Sequence, residues 1–92
     1  VVMSFRKQAF SATYIFDDTG FTIEHKYGTT HYDFDQIKHV TMVIPDESML
    51  FYILNIFTEK ERYTISFTMQ KELCENIYEF MHARLPKKDT ED

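Results

Sequence analysis

Ninety-two residues with fifteen acidic and ten basic side chains carry a formal net charge of −5, the wrong sign for a protein that wraps nucleic acid or lies flat on an anionic membrane. Nine Phe and six Tyr beside two Gly and two Pro describe one packed domain rich in strand-formers, of a size that buries its own core. A single cysteine, Cys74, excludes an internal disulfide, and no apolar run approaches the ~20 residues of a membrane-spanning helix.

Residues 1–8 mix apolar and basic side chains without alternation and read as an entering extended segment or a short edge strand. Phe10, Ala12, Tyr14 and Phe16 then alternate with Ser11, Thr13 and Ile15, the period of a half-buried strand. Asp17-Asp18-Thr19-Gly20 is a hairpin turn, because Asp side chains bond turn backbone and Gly supplies positive φ. The returning strand repeats the pattern with Phe21, Ile23, His25 and Tyr27.

Tyr27-Gly28-Thr29-Thr30 reads as the next turn, followed by a short strand with Tyr32 and Phe34 on one side and His31 and Asp33 on the other. Asp35-Gln36 forms a corner before residues 37–44, where Val40, Met42 and Ile44 oppose His39, Thr41 and Val43. Pro45-Asp46-Glu47-Ser48 interrupts the run. Residues 50–57, the most apolar segment, and then Tyr63, Ile65 and Phe67 in alternation give two more strands around a charged turn at Thr58-Glu59-Lys60-Glu61.

Residues 68–85 change period. Leu73, Cys74, Ile77, Phe80, Met81 and Leu85 fall on one helical stripe, with Thr68 expected as N-cap and Pro86 ending the run. The fold expected is α+β and mainly β: a curled antiparallel sheet or partly open barrel of six to seven strands capped by one C-terminal helix. Residues 1–85 form the domain and 86–92 a disordered tail. The opening Val1-Val2-Met3 lacks an initiator Met, as a processed product or a piece of a longer protein would.

The succession Tyr14-Ile15-Phe16-Asp17-Asp18-Thr19-Gly20-Phe21-Thr22-Ile23, with Tyr32-Asp33-Phe34-Asp35-Gln36-Ile37-Lys38-His39-Val40, resembles the bacterial pleckstrin-homology-like domains of the YcxB-like kind. The likeness extends through residues 50–57, 63–67 and 73–85. It implies about seven strands capped by a helix, and a scaffold that binds proteins or sits beside membrane segments. In eukaryotic relatives basic residues flank the first strand-to-strand turn and hold a phosphoinositide. With that turn taken as Asp17-Asp18-Thr19-Gly20, two carboxylates repel phosphate, so phosphoinositide binding is not expected.

His25, His31, His39 and His82 lack ligand spacing, Asp33 and Asp35 lack a nucleophile beside them, and Cys74 belongs to the apolar stripe; neither metal, cofactor nor catalysis is expected. Arg6, Lys7, Lys26 and Lys38 are candidates for a basic patch, with scattered solubilising charges as the alternative. Phe51, Ile53 and Phe57 are candidates for a partner surface if Tyr52, Leu54 and Ile56 point inward. The expected role is a non-enzymatic interaction module, binding a protein partner or a second copy. It belongs in the cytoplasm, or at the cytoplasmic face of a membrane where the parent protein is anchored. The alternative is a carrier holding a small apolar molecule between sheet and helix.

Overall fold

The computed structural model describes residues 4–48 and 50–86. Seven strands and one helix follow one another: β1 (Ser4–Ala9), β2 (Ala12–Asp17), β3 (Gly20–His25), β4 (Gly28–Asp33), β5 (Ile37–Val43), β6 (Phe51–Thr58), β7 (Arg62–Thr68) and α1 (Lys71–Arg84). They form two antiparallel sheets, β1-β2-β3-β4 and β5-β6-β7, in which every strand pairs with its sequence neighbour. Among the described residues the two sheets do not close into a barrel. The mainly β class with a C-terminal helix is as expected. The weakly patterned start supplies the seventh strand, its residues 1–3 and the expected tail beyond Pro86 lying outside the described residues.

Three hairpins build the first sheet, each with a two-residue turn: Ala9 pairs Ala12, Asp17 pairs Gly20, and His25 pairs Gly28. The first turn corrects the expectation that Phe10 opens a strand facing inward. Phe10 occupies the turn at φ 58° and is 98% exposed. The third turn consists of Lys26 and Tyr27, so Tyr27 is likewise exposed and Gly28 to Thr30 belong to β4. At the second turn Asp17 Oδ1 accepts from the Thr19 N–H at 2.9 Å and its hydroxyl at 2.6 Å. Those bonds hold the Asp17 carboxyl below the ordinary carboxylate range, against the opposing effect of partial burial.

Phe34–Gln36 forms the 3-10 corner between the sheets, where Gln36 Oε1 accepts from the Asp33 N–H at 2.8 Å. A register shift follows between Ile37 and His39, so Ile37 and Val40 are both buried although three residues apart. Ile44, expected to share a strand face with Val40 and Met42, lies past the end of β5 and is exposed.

The core gathers around Phe21, which stacks on Phe16 at 5.1 Å and Tyr14 at 5.9 Å and meets Tyr63 edge-on at 5.7 Å. From the other sheet come Tyr52, Leu54, Ile56, Ile65 and Phe67. Helix α1 lays Cys74, Ile77, Phe80 and Met81 against β5, β6 and β7, and Phe80 also meets Phe5 of β1 at 5.4 Å. Thr68 is not the N-cap. It is the last residue of β7; Met69 at φ 57° turns the chain, and Gln70 takes the cap position without a side-chain bond.

Candidate interaction surface

Strand β6 alternates strictly. Tyr52, Leu54 and Ile56 are buried while Phe51, Ile53, Asn55 and Phe57 face outward. The candidates Phe51, Ile53 and Phe57 therefore do share the outer face of the second sheet, but not one continuous patch. Phe57 lies beneath the His39 ring, the two stacked at 4.2 Å. Asn55 divides the stripe: its amide donates to Thr41 Oγ1 at 3.3 Å and its carbonyl accepts from the Thr64 hydroxyl at 2.9 Å.

Beyond Asn55 the face becomes apolar. Ile53 sits opposite Val43 on β5, Phe51 opposite Thr68, and the Met69 N–H donates to the Leu50 carbonyl at 2.7 Å. Val43, Ile44, Leu50, Phe51 and Met69 are all exposed around this end of the sheet. Val43, Ile44, Leu50 and Met69 are absent from the sequence-based candidates. Val43 was legible, because alternation already put it opposite Val40 and Met42; Met69 was not, because it was assigned to a helix.

The four basic candidates are spread over the molecule. Arg6 and Lys7, adjacent on β1, point to opposite faces. The Lys7 ammonium donates to Gln70 Oε1 and lies 5.0 Å from the centre of the Phe67 ring. Lys26 stands over Tyr27 at 5.6 Å, and Lys38 pairs with Glu59 at 2.9 Å. The acidic turn at Asp17-Asp18-Thr19-Gly20 proves to be the second strand-to-strand turn, because β1 precedes it; the first is the uncharged pair Phe10-Ser11. The premise that carboxylates occupy the first turn is thereby corrected.

The histidines also lie apart. His31 bridges Thr22 Oγ1, 2.7 Å from its Nδ1, and Asp33 Oδ1, 3.2 Å from its Nε2. This hydroxyl–imidazole–carboxylate row lies on the exposed outer face of the first sheet, where none of the three surface grooves described below borders it. Among the described residues no three His, Cys, Asp or Glu side chains gather as metal ligands would. Burial pushes the Cys74 thiol up to about 11, so the sulfur stays protonated among apolar neighbours.

One groove of about 810 Å³ runs between β5 and the end of α1, lined by Lys38, His39, Val40, His82, Ala83, Leu85 and Pro86. A second, about 530 Å³, lies between the 3-10 corner and the β6–β7 turn, and a third, about 560 Å³, between the β1–β2 and β3–β4 turns. Between the helix and the second sheet, Cys74, Ile77 and Met81 meet Leu54, Ile56 and Ile65 with every one of these at most 1% exposed. Among the described residues no helix is long and apolar enough to cross a membrane. No family model, curated protein or solved structure matches the chain.

Proposed function

We propose that the chain is a non-enzymatic interaction module of pleckstrin-homology-like architecture, of the bacterial YcxB-like kind. It acts on the cytoplasmic side, at a membrane where its parent protein is anchored. The order of four strands, three strands and a closing helix supports this reading of the architecture. The observation that carries the binding role is the exposed apolar cluster of Val43, Ile44, Leu50, Phe51 and Met69 at one end of the second sheet, with Ile53 between. Side chains of this size left in water are stabilised by covering, at about 25 cal/mol per Å² removed. The packing of α1 on the second sheet argues against the carrier, since its side chains fill the space a ligand would take.

A second copy is the partner that can be tested at once, because an isologous contact needs only this one patch on each chain. Light scattering on the eluting chain should show a mass that rises toward a dimer with concentration. Phe51→Glu, at a half-exposed position, should keep the melting temperature and remain monomeric. A wild-type chain that stays monomeric throughout rejects self-association, and one whose dimer survives Phe51→Glu rejects this patch.

A further inference from the structure

Four strands lie at sheet edges: β1 and β4 in the first sheet, β5 and β7 in the second. An edge exposes a row of backbone N–H and C=O groups with which another extended chain can pair, and edges are ordinarily blunted by lysine, proline, a bulge or a covering helix. Three of the four are blunted here. β1 carries Arg6 and Lys7, the Lys7 ammonium turned over Phe67 and bonded to Gln70. β5 carries Lys38 and a register shift and lies against α1; β7 opens with Arg62 and also meets α1. β4 has no lysine, arginine or proline, and it pairs with β3 without a shift from Gly28 to Asp33.

The Asp33 N–H tells which backbone groups of β4 are open. It donates to Gln36 Oε1 at 2.8 Å rather than to β3, so by the alternation of an antiparallel ladder Thr29 and His31 also turn their N–H and C=O groups away from β3. Among the described residues no strand takes up these four groups, and both residues are exposed. We propose that β4 is a docking edge for an extended segment of another protein, added antiparallel through Thr29 and His31, basic at its amino end and acidic at its carboxyl end.

Charge along the strand sets that polarity. Lys26 precedes its first residue, while Asp33 and Asp35 mark its end. Beside Tyr32 the groove of about 530 Å³ gathers Asp35, Glu59 and Glu61 with Lys38 and Lys60. Glu59 already holds Lys38 at 2.9 Å, so Asp35 and Glu61 against Lys60 leave a negative hollow where the first side chains of an antiparallel strand arrive. A parallel strand of the same composition would set its basic end against Lys26. Backbone pairing supplies the affinity and the groove selects the side chain. None of these residues belongs to the apolar end of the second sheet, so this contact stands whether or not the chain self-associates there.

The heptapeptide Arg-Arg-Thr-Val-Thr-Val-Glu sets its first Arg opposite Asp33, its second beside Tyr32, and its two Thr opposite His31 and Thr29. Carrying a fluorescent label, it should bind the wild-type chain saturably with Kd below about 1 mM, slow amide exchange at Thr29 and His31, and bind Phe51→Glu equally well. N-methylation of either Thr should abolish binding, whereas N-methylation of either Val should leave it within about twofold. Asp35→Lys, at an exposed position, should weaken the peptide by about fivefold and favour the charge-swapped Glu-Glu-Thr-Val-Thr-Val-Arg. Absence of saturable binding overturns the proposal, as does a methylation pattern that fails to alternate or an affinity indifferent to the charge swap. A Phe51→Glu chain that dimerises with Thr29 and His31 protected overturns it too, giving the edge to a second copy.

Discussion

Gly20 is the residue on which the first sheet turns back. Its φ of 137° is closed to side-chain-bearing residues, and a Cβ there would run into the Tyr32 carbonyl oxygen of the neighbouring strand. Gly20→Ala meets both obstacles at once, and the backbone atom it strikes is tied into the β3–β4 ladder. Denaturant unfolding should show a loss of about 2–4 kcal/mol with an unchanged slope. A loss below about 0.5 kcal/mol, the size of an ordinary surface substitution, would place the β2–β3 turn elsewhere.

Helix α1 is the element without which the second sheet has a wet inner face. Ile77, fully buried at the middle of its stripe, touches the apolar floor of β5–β7. Ile77→Asp should abolish cooperative melting, because an unpaired carboxylate cannot be accommodated there, whereas Ile77→Ala should keep a cooperative transition weakened by about 2–4 kcal/mol. Circular dichroism melts distinguish the two; a normal transition in Ile77→Asp refutes the packing of α1. The end of the helix is held more lightly: Arg84 donates to Asp18 Oδ1 at 3.1 Å and covers the Phe80 ring at 3.8 Å. Helix, strands and the outward set on β6 were legible in the sequence because periods of 3.6 and 2 report which face is buried. Turn positions were less so. Phe10 and Tyr27 continue the phase of Phe16 and Phe21, and alternation has no means of telling the last residue of a strand from the first of a two-residue turn. The end of β5 at Val43 and the positive φ of Met69 are backbone events without a mark in residue type, which is why alternation extends the strand to Ile44 and the helical stripe back to Thr68. The basic candidates failed for a different reason, since side-chain identity says nothing of which sheet face or which partner each Lys will meet.

At the scale of the whole molecule, the two sheets are joined across the core by Tyr32 of β4 and Tyr63 of β7, whose hydroxyl oxygens lie 2.7 Å apart. Burial, with the bond to Tyr32 next, raises the Tyr63 phenol well above its ordinary 10.0. A group that holds its proton more tightly when folded contributes stability that is full below the unfolded value and is lost as pH climbs from there toward the raised one. Stability should therefore fall above pH 10, and Tyr63→Phe should flatten that alkaline limb while costing about 1 kcal/mol at neutral pH for the partner left to Tyr32. Urea titrations across the alkaline range read both effects; a limb as steep in Tyr63→Phe as in the wild type assigns the loss to other groups.

Pairing only between sequence neighbours also has a consequence for how the polypeptide is made. Each hairpin can zip as soon as its second arm leaves the ribosome, so both sheets are available early. The fourteen residues of α1 come out after all seven strands, and until they do Leu54, Ile56 and Ile65 stay uncovered. At ~5–20 residues per second that interval lasts on the order of a second, during which the nascent chain offers a sticky apolar floor to neighbouring chains and to chaperones. A nascent chain held with β7 out of the ribosome and Lys71 still inside it is left in that state, paired in every strand and not yet folded.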